Sequence, residues 1–224
     1  MSGCLPSLPG AQGVRVVTTL SSRDSDYFFA LQTRTGWGRT LEKFARWIDP
    51  SPGSRVLDVG CGPGLFPAIL ERSNCRAFGV DLDLASFRPP RLHTRLGVAD
   101  ALRLPFPAAA FDLVTASNLL FLLPQPRLAL DEMLRVLAPT GRLALLNPAP
   151  ALTPQAAEDF ARQRGLDELG RATLVNWARR AAHNPRWDAP ALAAFLTASG
   201  VQLERSKSAV GPGFALWALA RPLP

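Results

Sequence analysis

The chain has 224 residues, enough to bury a sizeable core within one domain. Its hydrophobic share of 47% is ordinary for a globular protein, and no apolar run reaches the roughly 18 residues that span a bilayer, so a membrane-spanning helix is not expected. The formal charge of +7 admits an anionic partner, but arginines scattered over the surface for solubility meet it as simply. Cys4, Cys61 and Cys75 form an odd, widely spaced set without metal-ligand spacing. No metal is expected, and a reducing compartment suits the three thiols. The first residues lack a basic stretch followed by an apolar one, which adds to the expectation of a cytoplasmic protein.

Residues 1–22 mix prolines, glycines and isolated apolar residues, which predicts a flexible N-terminal arm. Asp24 or Ser25 is a candidate cap for a helix over 26–48, with Phe28, Phe29, Leu31, Leu41, Phe44 and Ile48 as its apolar positions and Gly36 and Gly38 as interruptions. Asp49-Pro50-Ser51-Pro52-Gly53 is a turn. It leads into Val56-Leu57-Asp58-Val59, a short apolar strand with an acid near its end. Gly60, Gly62 and Gly64 follow in alternate positions, and Leu65 to Leu70 open a helix running to about 72. A strand that feeds a glycine-rich turn at a helix N-terminus offers backbone N–H groups to a small anion.

Further strands are predicted at 77–80, 94–98, 111–116 and 142–146, and Pro89-Pro90 keeps the helix after the second strand short. A helix over 126–137 is expected to stop at Pro139-Thr140-Gly141. Strands alternating with helices argue for a doubly wound, mostly parallel sheet, whose ligands sit at the C-terminal strand ends. Asp58, Asp81, Asp100 and Ser117 all fall there. Helical stretches at 154–164 and 167–182 form an insert, within 149–187, that carries six arginines between Arg162 and Arg186. A helix over 188–199 ends at Gly200, and strands at 201–206 and 214–220 would close a seven-stranded sheet as an antiparallel pair, with the last strand antiparallel to the rest. Residues 23–224 thus read as one domain.

Five segments, in this order, resemble the motifs of the class I S-adenosylmethionine-dependent methyltransferases, in particular the small-molecule, type 11-like branch with a helical insert after the fifth strand. They are Val56 to Gly64; Gly79-Val80-Asp81; Ala99-Asp100-Ala101 with Leu104-Pro105-Phe106; Phe111-Asp112-Leu113-Val114; and Arg135 to Gly141. The resemblance runs from about residue 27 to the C-terminus. It implies a Rossmann-like methyltransferase fold, S-adenosyl-L-methionine as cofactor, and a helical lid at 149–187.

The resemblance also assigns roles. The turn carrying Gly60, Cys61, Gly62 and Gly64 would take the methionine carboxylate, and Asp58 its ammonium. Asp81 would accept from both ribose hydroxyls. Asp100 would accept from the adenine amine, the Ala101 N–H would reach a ring nitrogen, and Leu82 and Leu102 would sandwich the ring. Ser117 would face the sulfonium end, and Tyr27 would cover the cofactor from the first helix. Cys61 fills a variable slot of the motif and is not read as a reactive thiol.

The implied reaction is methyl transfer to a small-molecule O, N or C acceptor. In-line positioning supplies much of the acceleration, and a general base is needed only when the acceptor holds its proton tightly. No residue identifies itself as that base; His93 and His183 are candidates, with a surface or capping role weighed against each. Ser117-Asn118-Leu119-Leu120 departs from the Asn-Pro-Pro-Tyr type motif of nucleic-acid base methylation, and no His pair stands near Leu120-Phe121. Phe160, Leu174, Trp177 and the Phe28-Phe29 pair could line an apolar acceptor pocket, or simply pack. A methyltransferase acting on RNA or the ribosome, suggested by the lid arginines, and a non-catalytic cofactor-binding regulator are the alternatives. An NAD-dependent dehydrogenase fits less well, because Leu65 stands where its fingerprint needs a small residue.

Overall fold

The computed structural model describes residues 22–87, 92–93 and 95–223. Seven strands form one sheet in the order β3-β2-β1-β4-β5-β7-β6. They are β1 (Arg55–Val59), β2 (Arg76–Asp81), β3 (Leu96–Val98), β4 (Phe111–Ser117), β5 (Leu137–Pro148), β6 (Val201–Ala209) and β7 (Ala215–Pro222). β1 pairs in parallel with β2 and β4, β2 with β3, and β4 with β5. β7 lies antiparallel between β5 and β6. The expected doubly wound sheet with an antiparallel last strand is therefore the observed fold.

The helices are α1 (Ser22–Arg34), α2 (Trp37–Ile48), α3 (Leu65–Arg72), α4 (Pro126–Val136), α5 (Pro154–Gln163), α6 (Glu168–Ala182) and α7 (Ala189–Thr197). Side-chain caps define three of them: Thr153, Asp167 and Asp188 accept from the backbone N–H groups of Ala156, Gly170 and Ala191. Strand alternation sends residues to two cores. On one face Val56, Leu113, Ala144, Leu146 and Trp217 meet α2 and α3. There Phe44 is fully buried, stacked on Phe66 at 5.5 Å between ring centres and 5.3 Å from Trp217, an arrangement stabilising by about 2 kcal/mol for the burial of the ring alone. On the other face Leu57, Val114, Leu145 and Leu216 meet α4 to α7.

Several expectations need correction. The first helix is broken at Gly36, as expected, but not at Gly38, which lies inside α2, and α1 begins at Ser22, upstream of both candidate caps Asp24 and Ser25. Ser22 therefore belongs to a helix, while the rest of the expected arm, like Pro89-Pro90, lies outside the described residues. Pro139-Thr140-Gly141 does not separate α4 from β5. The strand starts at Leu137, and those three residues fill an irregularity where the pairing jumps from Phe111↔Leu137 to Leu113↔Arg142. A proline at such a bulge forfeits no ladder hydrogen bond. The closing strands are also longer than expected, leaving only 210–214 between them.

Candidate active site

The glycine turn follows β1, and its three glycines adopt φ values of +75°, +53° and +91°. A Cβ at Gly60 would lie 3.0 Å from Leu119 Cδ1, and one at Gly64 3.0 Å from His93 Cβ and from the Leu96 methyls, so both positive φ and close approach require glycine there.

The turn's N–H groups are not free for an anion. Gly60 and Cys61 both donate to Val80 O (2.8 and 3.0 Å), Gly62 donates to Asp81 Oδ2 (2.8 Å), and Gly64 to Cys61 O (3.1 Å). At the N-terminus of α3, Leu65 N donates to Gln32 Oε1 from α1 (3.2 Å). The open anion cradle expected from the sequence is thus filled by the chain's own acceptors, since buried backbone donors are paired wherever a neighbour can reach them. Cys61 is buried, with its thiol against Gly62 O, and burial pushes that thiol well up, which fits its reading as unreactive.

Asp58 is 2% exposed at the end of β1. Burial pushes its carboxyl up to about 7, against the lowering effect of the Thr115 hydroxyl, which donates to Oδ1 at 2.6 Å; the charge of Asp81 adds to the rise. A buried carboxylate with one hydroxyl donor is under-compensated and suits a cationic ligand group. Asp81 lies at the end of the neighbouring β2. Its pKa is also raised by burial, opposed by the N–H groups of Asp83 (3.1 Å to Oδ1) and Gly62. Both of its oxygens point at backbone donors of loops that line the strand ends.

Asp100 Oδ1 accepts from Leu102 N (2.9 Å) and caps the 100–103 turn. Ala101 is buried beneath it, Leu102 packs on the core, and Leu82 is 60% exposed, so the two leucines are differently placed for holding a flat ring. Arg135 anchors the following loop by donating to Leu104 O and Phe106 O while pairing with Glu132, which in turn accepts from Leu104 N. Two motifs distant in sequence are thereby locked together. Ser117 ends β4, half-buried, and Asn118 turns the chain at φ 58° with its N donating to Leu146 O (2.7 Å). Leu119 then lies on Gly60.

α1 touches both α6 and the 3-10 turn Leu84–Phe87, so it crosses the strand ends. Half-buried Tyr27 sits edge-on to Phe28 at 5.6 Å, and Arg180 of α6 lies over the Phe28 ring. Among the proposed wall residues, Leu174 is part of the core, Phe160 packs edge-on to Phe214, and Trp177 meets Trp37 at 5.7 Å. Neither histidine stands at the strand ends as a base. His93 is buried with Nε2 3.0 Å from Glu71 Oε2 and Nδ1 accepting from Arg95 N, and exposed His183 follows the last residue of α6. Two residues escaped the sequence reading. Gln32 has no motif to mark it. Asn147 had a signal, a lone amide closing the apolar run Leu143–Leu146, and it is buried at the end of β5.

Comparison with known proteins agrees with this geometry. The methyltransferase domain family matches residues 57–145. An uncharacterized methyltransferase of Mycolicibacterium gilvum is 32% identical over 165 residues, covering 71% of this chain and 64% of the relative. The 27-O-demethylrifamycin SV methyltransferase of Amycolatopsis mediterranei is 34% identical over 136 residues, covering 50% and 47%. The match thus spans less than two-thirds of either relative. Among solved structures, magnesium protoporphyrin IX methyltransferase of Synechocystis, with bound S-adenosylhomocysteine, superposes with a TM-score of 0.59 at 16% identity over 86% of each chain, a likeness of fold. No helix among the described residues is long and apolar enough to cross a membrane. Residues 57–145 are thus a methyltransferase domain, and motifs, sheet topology and sequence match together support a class I S-adenosylmethionine-dependent methyltransferase.

Proposed function

We propose that the chain is a methyltransferase that draws on S-adenosylmethionine and methylates a small-molecule O, N or C acceptor. The observation that carries this reading is the buried, under-compensated Asp58 beside the glycine turn, one strand from Asp81. The pair fits a ligand with an ammonium at one end and a ribose diol at the other. Asp58 takes the ammonium and ionises fully in doing so. Asp81 exchanges the Gly62 and Asp83 N–H groups, in part, for ribose hydroxyls, and the Asp100–Leu102 turn carries the adenine edge. The ligand carboxylate competes with Gln32 for Leu65 N at the α3 N-terminus, because each N–H group among residues 60–65 already has an acceptor and Leu65 N is held by a neutral side chain. Ser117 borders the reacting end, and Tyr27 on α1 covers it, with α5 and α6 as a lid.

When bound, the cofactor supplies an already activated methyl group. The chain's part is to hold the two reactants in line and keep water out, and no residue at the strand ends is required as a base. A small molecule is the acceptor class supported by the sequence relative named for methylating 27-O-demethylrifamycin SV. The RNA reading loses its main support, because five of the six lid arginines are engaged within the chain. Arg162 pairs with Asp159 and Arg171 with Glu158, Arg164 and Arg180 lie over Phe160 and Phe28, and Arg186 binds the Pro150 and Leu152 carbonyls.

The test is incubation with methyl-labelled cofactor and either metabolite pools or RNA. Label in the small-molecule fraction is the expected result. Label in RNA alone would favour the RNA reading, and cofactor binding without any transfer would favour a regulator.

A further inference from the structure

The ends of β4 and β5 hold two amides with unpartnered buried atoms. Asn147, at the C-terminal end of β5, is 1% exposed, and neither its Oδ1 nor its Nδ2 has a hydrogen-bond partner. Asn118, the residue after β4, has a buried Oδ1 that is likewise unpartnered. The two stand side by side: Ser117 pairs with Leu146, and Asn118 N donates to Leu146 O. By strand alternation Asn147 shares the face of Leu145 and its cross-strand neighbour is Leu216, both members of the core that α4 to α7 cover. Asn118 is followed at once by Leu119, which lies on the glycine turn. The amides therefore stand between the cofactor turn and the apolar core.

A primary amide offers two N–H donors and two lone pairs on its oxygen, and stranding it in an apolar core is unfavourable for each unmet group. A leucine at 147 would match its neighbours and avoid that cost. An amide that the fold does not use, at the C-terminal strand ends where ligands of such sheets sit, is matched by a ligand group that both donates and accepts. Resting on the methyltransferase reading above, we propose that Asn147, assisted by Asn118, binds a neutral hydroxyl or carbonyl oxygen of an otherwise apolar acceptor. Neither amide carries charge, so the pair selects against carboxylates and phosphates, which need cationic or multiple N–H partners in so dry a setting.

The test uses the chain loaded with S-adenosylhomocysteine and titrated with 1-naphthol, with 1-methylnaphthalene as the oxygen-free match, by ligand-observed NMR. Wild type is expected to prefer naphthol by tenfold or more. Asn147→Leu should abolish that preference while S-adenosylhomocysteine affinity stays within twofold and the unfolding midpoint of the ligand-free protein holds or rises. Asn118→Gly, which suits the positive φ at that position, should weaken naphthol several-fold without changing the cofactor. Absence of naphthol binding, an unchanged preference in both variants, or a fall of several degrees in the Asn147→Leu midpoint would overturn the proposal; the last would mark an amide satisfied inside the fold by water. Failure to bind S-adenosylhomocysteine would instead overturn the methyltransferase reading itself.

Discussion

The two halves of the strand-end cleft differ in how their polar groups are satisfied. Around β1, β2 and the 100–103 turn, polar groups already pair with one another: Gly62 with Asp81, Leu65 with Gln32, Leu102 with Asp100. Around the ends of β4 and β5, Asn118 and Asn147 keep buried amide atoms unpaired. The first half is a prebuilt frame that a ligand enters by exchanging hydrogen bonds. The second is left open in the same terms, so its partner has to come from outside the fold. One fold can thereby keep its cofactor geometry fixed while acceptor recognition rests on a few side chains.

The comparison can be broken most forcefully at Asp81. Asp81→Ala removes the acceptor for Gly62 and Asp83 and the proposed diol contact, and should lower S-adenosylhomocysteine affinity by about 100-fold, two charge-assisted hydrogen bonds' worth, in calorimetry. The next effect is on pH. Burial raises Asp58 above its ordinary 3.8 to about 7, so its contribution to folding stability is fully present below 3.8 and lost as the pH rises through about 7. Ligand-free protein should therefore lose unfolding temperature between pH 5 and pH 8, and Asp58→Asn should flatten that slope. Cofactor affinity should run the opposite way, rising about tenfold from pH 6 to pH 8, because an ammonium ligand needs the ionised carboxylate.

Smaller still is the cost of disturbing the frame without touching its acids. Gly60→Ala forces a Cβ into the positive-φ turn 3.0 Å from Leu119 and should destabilise by about 2 kcal/mol, read as a drop of several degrees in unfolding midpoint. The least effect belongs to Gln32→Ala. It frees Leu65 N for the ligand carboxylate and should tighten cofactor binding by about threefold with little change in stability, since the Gln32 contacts to Leu65 N (3.2 Å) and Cys61 O (3.5 Å) are long and partly buried.

Much of this frame is legible in the sequence because its requirements are local. Alternating glycines after an apolar strand permit the positive φ of the turn, apolar runs followed by acids mark buried strands ending at the cleft, and Arg135 falls within a motif whose loop partner, Leu104-Pro105-Phe106, is itself a motif. What escaped depends on which distant group arrives. Val80 O, Asp81 and Gln32 reach the turn from 15 or more residues away, and no spacing rule announces that they fill it before any anion does. The same holds for Pro139-Thr140-Gly141, which looks like a stop but is absorbed by a shift in strand pairing against Phe111 and Leu113. Asn147 escaped for a different reason. Its lone amide at the end of an apolar run is visible in the sequence, but the partners it lacks are not.

The central claim is that the β1–β2 half is a prebuilt S-adenosylmethionine frame. Isothermal titration of S-adenosylhomocysteine into the wild-type chain at pH 8 tests it most directly. One site per chain with micromolar affinity is expected; no heat of binding, with no rise in unfolding temperature at millimolar ligand, would contradict it.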